Sequence, residues 1–381
     1  MIIGTLISCD AEQGPQGEQG PQGEPGVPGK DGITPTIEIS EDGYWVINGV
    51  KTDTVATGKA GDGFVLQSTE DSTDRLEEIQ ALLDNNGYVK LGKGEFYLSG
   101  QLQIRNGATL DGCGRATVIK QTPDSTHSSM IWLKSEGSIR NVCLQGEWTD
   151  VPTKETTCKS RRIGIVIAYG TNNAIIDGCF IRGWTGSGVL GTENGVATRS
   201  FLMSNCDVAF CNVGLKTEES EYACITNCVF RNNIIGCLNN GGNNKFTGCG
   251  FDKNYDGFVI ESGYNNGHGL ANGCSFNHNS RYAVSISDNL TGFVFSGCNF
   301  ADGTIMVSAT ARGVLFSGCR FGNWLKYHNY SKHTTLFSNC IFSHSPHTES
   351  IEFIDNYGGF KFDGCINYNT GKPIEDDSST E

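Results

Sequence analysis

Residue types that could carry chemistry are concentrated between positions 252 and 282 of this 381-residue chain. The residues that could supply a base, an acid or a cation there are Lys253, Asp256, His268 and Arg281. Proton abstraction beside a carboxylate needs a base and a cation, because negative charge builds up as the proton leaves. Side chains that could hold a polar substrate are Asp252, Tyr255, Glu261 and Tyr282. The same residue types also suit a solvated surface rich in turns, so both interpretations stay open.

A second candidate site is an inserted loop at roughly residues 147 to 162. We predict substrate binding there for three residues: Trp148, Arg161 and Arg162. Tryptophan can stack on a sugar ring, and arginine can pair with an acidic group. Two further tryptophans, Trp184 and Trp324, could also stack on sugars or could close the end of a coil. The sequence contains no phosphate loop, nucleophile elbow or spacing typical of metal ligands, so no metal site is predicted.

The elements that must position these residues follow from a phrase that recurs along the chain. Its best copy is Phe295-Ser-Gly-Cys298-Asn-Phe300, and its cysteine recurs every 21 to 27 residues. The nine cysteines of this row are Cys179, Cys206, Cys228, Cys249, Cys274, Cys298, Cys319, Cys340 and Cys365. The residue before each is Gly or Asn, which tolerate the positive φ of a bend. Apolar residues at two-residue spacing on both sides of the bend indicate short strands.

A coil of this length fits three short strands, and a period of 20 to 30 residues is typical of a solenoid. We therefore predict an all-β fold, a right-handed single-stranded parallel β-helix over residues 62–368 with a short N-terminal capping helix. The row cysteines should be inward-facing free thiols. Residues three and four positions beyond each cysteine, such as Arg182, should face outward. An asparagine row, Asn233, Asn254 and Asn279, should satisfy backbone groups in the turns.

The N-terminal segments differ in composition from the repeats. Glycine recurs at every third position through residues 14–32, which indicates a collagen-like stalk or an extended polyproline-II stretch. For residues 33–61 the sequence predicts a small β-hairpin module, with turns at Asp42-Gly43 and Asn48-Gly49. Residues 369–381 form an acidic tail that we expect to be disordered.

Several stretches resemble known families. Leu6-Ile7-Ser8-Cys9 resembles a bacterial lipobox, which implies lipidation at Cys9 and makes residues 1–13 the remnant of a signal. The first 60 residues resemble surface lipoproteins of gut Bacteroidetes and tail fibres of their phages. The helix, the strands after Gly87 and the repeats resemble the pectate-lyase-like superfamily, which includes polysaccharide lyases, glycoside hydrolases and tailspikes. Asn254-Tyr255-Asp256-Gly257 and Gly267-His268-Gly269 resemble motifs of polygalacturonase-type hydrolases, which implies acid–base and supporting roles for Asp256 and His268.

These resemblances and the formal charge of −14 lead to three functional hypotheses. The first is a surface-anchored enzyme acting on an acidic polysaccharide, a lyase in preference to a hydrolase. The second is a phage tail fibre or tailspike, trimerised through the collagen-like stem, that binds or trims host glycan. The third is a non-catalytic glycan-binding adhesin. We expect no cofactor unless a lyase uses Ca²⁺, no nucleic-acid partner, and membrane contact only through a lipid at Cys9. The expected location is the outer face of the outer membrane or a virion tail.

Overall fold

The computed structural model describes residues 35–40, 44–55, 65–156, 160–191, 200–218, 220–262, 267–346, 348, 350–355 and 359–375. The predictions for Cys9, for the stalk at 14–32 and for the turn Asp42-Gly43 lie outside these residues, as does the tail beyond 375. The chain divides into two compact units, residues 1–57 and 58–381.

The smaller unit contains a three-stranded antiparallel sheet of Ile37–Ile39, Tyr44–Ile47 and Val50–Val55. Ile37 pairs with Ile47, which in turn pairs with Val50. The second and third strands meet at Asn48-Gly49, where both residues have positive φ, as a tight hairpin turn requires.

The larger unit is a right-handed parallel β-helix with about a dozen coils, as the repeat predicts. Each coil passes through three parallel sheets in turn, here called sheets 1, 2 and 3. In the described part of the chain they contain 13, 12 and 11 strands, respectively.

The strands of sheet 1 are Val65–Leu66, Tyr88–Leu91, Thr109–Asp111, Ser138–Arg140, Ile175–Asp177, Leu202–Ser204, Cys224–Thr226, Asn244–Thr247, Gly269–Asn272, Phe293–Ser296, Leu315–Ser317, Thr335–Ser338 and Phe360–Asp363. Those of sheet 2 are Gly94–Leu98, Thr117–Gln121, Cys143–Gln145, Phe180–Arg182, Asp207–Ala209, Val229–Arg231, Gly250–Asp252, Ser275–Asn277, Asn299–Phe300, Arg320–Phe321, Ile341–Phe342 and Ile366–Asn367. Those of sheet 3 are Leu102–Ile104, Ser129–Leu133, Ile163–Ile167, Ser187–Leu190, Val213–Lys216, Ile235–Asn239, Asp256–Ile260, Tyr282–Ile286, Gly303–Val307, Leu325–Asn329 and Ile351–Asp355.

The N-terminal end of the solenoid is covered by the predicted helix, Leu76–Asn86. Its buried face presents Ile79 and Leu83 to the core, and Gly87 ends it in a left-handed conformation. A short 3₁₀ helix, Gly114–Ala116, follows the first bend. No helix in the described part of the chain is long and apolar enough to span a membrane.

The row cysteines lie inside the solenoid, as predicted. All nine are buried and free. Each thiol donates a long hydrogen bond to a backbone carbonyl of the preceding coil, such as that of Cys298 to Ala271 at 3.4 Å. Two residues on, the phenylalanines stack: the ring centroids of Phe251, Phe276 and Phe300 lie 5.0 and 4.7 Å apart. Cysteine therefore fills the tight inside of the bend, and phenylalanine fills the core behind sheet 2.

The asparagine row satisfies backbone groups at the corner between sheets 2 and 3, as predicted. The side-chain oxygen of Asn254 accepts the Asn233 backbone N–H at 3.0 Å, and its nitrogen donates to the Phe230 carbonyl at 2.9 Å. Asn279 repeats the pattern one coil later. All three side chains are buried, so the row is part of the scaffold.

The outer face of sheet 2 carries two columns of side chains, since the inward residues alternate with them. The first column is Glu95, Val118, Cys143, Phe180, Asp207, Val229, Gly250, Ser275, Asn299, Arg320, Ile341 and Ile366. The second begins with Tyr97, Lys120, Gln145, Arg182, Ala209, Arg231, Asp252 and Asn277. This face positions the candidate site.

Candidate functional site

A groove with a volume of about 770 Å³ lies over the first coils of sheet 2. Its floor consists of outward side chains from successive strands, including Glu95, Lys120, Gln145 and Arg182. Gly146 and the start of the inserted loop, through Thr149, form one wall. The groove therefore lies where the inserted loop interrupts the repeat.

The groove is lined by more cations than carboxylates. Its cationic side chains are Arg115, Lys120, Arg162 and Arg182, and its carboxylates are Glu95 and Glu147. The difference, four minus two, leaves two positive charges on a chain whose formal net charge is −14. Clefts lined by one sign of charge concentrate ligands of the opposite sign. This surface therefore favours an anionic ligand.

Both groove carboxylates are ion-paired. Lys120 Nζ lies 2.5 Å from Glu95 Oε1, and the Tyr97 hydroxyl donates to Glu95 Oε2 at 2.5 Å. These two bonds hold the pKa of Glu95 below its usual 4.5. Burial acts to lower the pKa of Lys120, but the bond to Glu95 outweighs burial and raises it. At neutral pH Glu95 is therefore an anion and Lys120 a cation.

Beside the groove, Arg115 from the lining shares a carboxylate with a second arginine. Asp207 accepts from Arg115 at 3.0 Å and from both Nε and Nη2 of Arg231, at 3.0 and 2.9 Å. The Arg115 guanidinium also lies 4.2 Å from the centroid of the Phe180 ring. Arg115 is already counted in the lining, so adding Asp207 and Arg231 leaves the excess at two positive charges, five cations minus three carboxylates.

Arg182 is the groove cation without a carboxylate partner among the described residues. It lies on the floor between Gln145 and Ala209 in the second column and is half-buried. A guanidinium has five donors in a fixed fork that matches a carboxylate. Arg182 is therefore the group best placed to bind an acidic ligand from solution.

Of the residues predicted in the inserted loop, two line the groove and one does not. Trp148 lies in the wall, and its backbone N–H donates to Gly183 O at 2.9 Å. Arg162 bonds Glu147 at 2.6 Å, Gln121 Oε1 at 2.9 Å and the Ser125 carbonyl at 2.8 Å. Its guanidinium therefore fastens the loop to the coil. Arg161 is exposed and outside the groove lining.

The residues predicted between 252 and 282 are distributed over two corners of the solenoid. At the corner between sheets 2 and 3, Asp256 is 2% exposed and forms a two-point ion pair with Arg281, with Nε to Oδ1 at 2.7 Å. That bond raises the pKa of Arg281. The guanidinium carbon of Arg281 lies 4.8 Å from the Tyr255 ring centroid and 4.7 Å from that of Tyr282. These four side chains form one compact cluster.

Two more predicted residues lie beside this cluster. Lys253 has a positive φ of 54° in the turn, and its backbone N–H donates to Asn277 O at 3.1 Å. The Asp252 carboxylate lies 3.4 Å from Nδ1 of His278, at the end of a sheet 2 strand. Both residues belong to the same corner as Asp256.

Glu261 and His268 lie at the next corner, between sheets 3 and 1. The strand Asp256–Ile260 separates them from the first cluster. Five residues at about 3.3 Å each place Glu261 about 16 Å from Asp256 along the strand. The structure therefore does not bring His268 together with Lys253, Asp256 and Arg281.

The inserted loop reaches the corner cluster. Lys154 Nζ lies 5.8 Å from the Tyr255 ring centroid, a contact in the range of a cation–π interaction. The two surfaces predicted from sequence are therefore neighbours on one side of the solenoid.

Sequence reasoning missed most of the groove floor. Glu95, Tyr97, Arg115 and Lys120 belong to the first two coils, which precede the cysteine row, so counting from a cysteine could not place them. Counting from the cysteine predicts that Arg182 faces outward. The sequence signal that could have identified it as a site residue is the inserted loop beside it. Of the other tryptophans, Trp184 is 1% exposed and buried in the core, whereas Trp324 is 73% exposed.

Comparisons with known proteins identify the fold, and the similar structures share little sequence with this chain. A family model described as "right handed beta helix region" matches residues 163–321. No curated protein sequence matches the chain. The catalytic domain of a GH87 α-1,3-glucanase, solved with tetrasaccharides, is similar with a TM-score of 0.55 and 11% identity over 82% of this chain and 71% of that one.

Two phage proteins are similar in structure. The enzymatically active domain of tailspike protein 2 from bacteriophage CBA120 has a TM-score of 0.54 and 14% identity, over 81% of this chain and 53% of that one. The Dettilon tailspike protein has a TM-score of 0.51 and 11% identity, over 78% and 68%. At these identities the likeness establishes the shared β-helix fold.

Proposed function

We propose that the protein binds an acidic polysaccharide in the groove over the first coils of sheet 2, outside the cell or on a virion. The observation that carries this proposal is Arg182, a cation without a carboxylate partner among the described residues, on the floor of a groove with two net positive charges. Trp148 in the wall adds a ring on which a sugar could stack. The polysaccharide class is supported by the glucanase that shares the fold and was solved with tetrasaccharides.

The finer proposal is that the bound chain is cleaved by β-elimination. In that reaction a cation neutralises the uronate carboxylate while a base removes the neighbouring proton. Arg182 suits the first role. Lys120 does not suit the second, because Glu95 keeps it protonated. The base must reach the proton on the carbon beside the same carboxylate. Lys253 and the Tyr255 hydroxyl lie about three coils, roughly 14 Å, from Arg182. They are therefore base candidates only for a uronate bound at the adjoining corner, where Arg281 would be the neighbouring cation.

The test is a binding screen followed by a product assay. The purified protein is titrated with polygalacturonate, alginate, hyaluronate and a neutral glucan at low and high salt. Binding of at least one acidic polymer, with no binding of the glucan, supports the proposal. Binding of the glucan alone, or of no polymer, would reject it. Ultraviolet absorbance of an unsaturated product then distinguishes elimination from hydrolysis, which releases reducing ends without that absorbance.

A further inference from the structure

The outer face of sheet 2 has a second arginine without a carboxylate partner among the described residues, far from the groove. Arg320 is exposed and lies in the first column, near the C-terminal end of the solenoid. Its Nη1 donates to Asn299 Oδ1 at 3.0 Å, and its Nη2 donates to the Tyr368 hydroxyl at 3.2 Å. Both partners are neutral, so they orient the guanidinium and leave its charge uncompensated.

An aromatic ring accompanies this cation. The guanidinium carbon of Arg320 lies 5.2 Å from the Tyr368 ring centroid, and Tyr368 is itself 37% exposed. An oriented cation beside an exposed ring matches an acidic sugar, which has a carboxylate and an apolar ring face. Arg320 and Tyr368 are called the distal pair below.

An exposed tryptophan lies on the same coil. Trp324 is 73% exposed and has a φ of 63°, a conformation that a bulky side chain rarely adopts. Its backbone N–H donates to Ser350 O at 2.7 Å, which holds the turn. Backbone strain of this kind is concentrated at functional sites. Trp324 thus offers a second ring at the corner beside the distal pair.

The distance from the groove to the distal pair can be counted in coils. From Phe180, on the strand of Arg182, the first column passes through Asp207, Val229, Gly250, Ser275 and Asn299 to Arg320, a rise of six coils. Neighbouring strands lie about 4.8 Å apart, so the two arginines are separated by about 29 Å along the face.

The surface between them is uneven. Gly250 and Ser275 in the first column contribute little or no side chain, whereas Val229 is 39% exposed and the second column carries Arg231 and Asp252. Gly250 is not required by packing, because a Cβ there would meet its nearest neighbour, Ser275 Oγ, at 3.6 Å, an ordinary contact. A chain leaving the groove along the first column would therefore pass over Gly250 and Ser275 on its way to Arg320.

We propose that the distal pair is a second subsite for the same acidic polysaccharide, so that a chain spanning about 29 Å is held at both ends. This inference rests on the proposed function of the groove. Once one end is bound, the other binds at a high effective concentration, which raises the affinity of long chains by about 10²-fold or more over short ones.

The experiment titrates the full chain with oligogalacturonates and oligoalginates graded by length. For the wild type we expect the affinity to rise steeply at the length whose extended span reaches about 29 Å. In Arg320→Ala and in Tyr368→Ala that rise should disappear while short oligomers bind as before. Arg320→Lys should recover only part of it, because lysine retains the charge and loses the fork.

A blocking variant gives an independent readout. Gly250→Tyr adds a ring on the first column between the two arginines, at a position where a Cβ meets only ordinary contacts. We expect Gly250→Tyr to abolish the rise and Gly250→Ala to retain it. A rise that persists in both Arg320→Ala and Gly250→Tyr would overturn the distal subsite. If short oligomers bind and no rise with length occurs in the wild type, the distal subsite is rejected and the groove stands. If no oligomer of any length binds, the proposed function fails as well.

Discussion

The substitution Arg182→Ala should weaken binding of the acidic polysaccharide more than any other single change on the groove floor. Arg182 has no carboxylate partner among the described residues, so its removal leaves no carboxylate unpaired. A hydrogen bond to a charged group contributes about 1.5 to 3 kcal/mol. Because the groove is open to solvent, the lower half of that range applies, which corresponds to a loss of about 10-fold to 40-fold in affinity.

The assay is titration calorimetry or fluorescence at two salt concentrations. The wild type should bind more weakly at high salt, and Arg182→Ala should show a smaller salt dependence, because one attracting charge is gone. Arg182→Lys should lie between the two, since lysine provides charge without the bidentate fork. The matched control is Arg312→Ala, an exposed arginine at the corner between sheets 3 and 1 that donates to Thr291 at 3.3 Å. Equal affinities for the wild type and Arg182→Ala would refute the assignment of Arg182, as would an equal loss in Arg312→Ala.

Three further predictions concern the scaffold. Phe276→Ala should lower the free energy of unfolding by about 3 to 5 kcal/mol, because it removes a buried ring from the core stack. Phe276→Leu should lower it by less. Equal losses for the two variants in chemical denaturation would contradict the role of the stack. The second prediction concerns the carboxylate of Asp111. Burial acts to raise its pKa, but the hydrogen bonds that the carboxylate accepts outweigh burial and hold the pKa below 3.8. The largest of these contributions is the bond from Lys90, at 2.7 Å. The ionised carboxylate therefore stabilises the fold at neutral pH, and this stabilisation is lost as pH falls through the lowered pKa of the folded state. Asp111→Asn should lower the free energy of unfolding by up to about 1 kcal/mol at neutral pH and leave it unchanged in strong acid. An equal loss at both pH values would contradict this. Iodoacetamide should modify the exposed Cys113 in the native protein and should not modify the nine row cysteines until the protein unfolds, as peptide mass spectrometry can show. Rapid modification of the row cysteines in the native protein would contradict their burial.

The fold could be predicted because one local rule repeats in every coil. Gly or Asn precedes each row cysteine, and the structure gives Asn205 and Gly297 nearly equal positive φ values of 54° and 59°. The register then follows from the two-residue alternation around the bend. Even the irregular early coil could be aligned, since Val142 and Leu144 are buried at the cysteine and phenylalanine positions.

The candidate site could be predicted only in part, because nearness in sequence differs from nearness in space in a solenoid. Residues 252 to 282 span more than one coil, and Lys253 and His268 lie at successive corners with the strand Asp256–Ile260 between them. Residues that do meet come from different coils: Tyr255 contacts Arg281 one coil later and Lys154 from the inserted loop. Such contacts depend on loop geometry, which the repeat does not encode.

The most direct test of the central claim is a crystal structure of the protein with an acidic oligosaccharide. We predict that the sugar lies on the outer face of sheet 2, with a carboxylate within hydrogen-bond distance of the Arg182 guanidinium and a ring against Trp148. A sugar bound on sheet 3, or at the corner of His268 with the groove empty, would contradict the account.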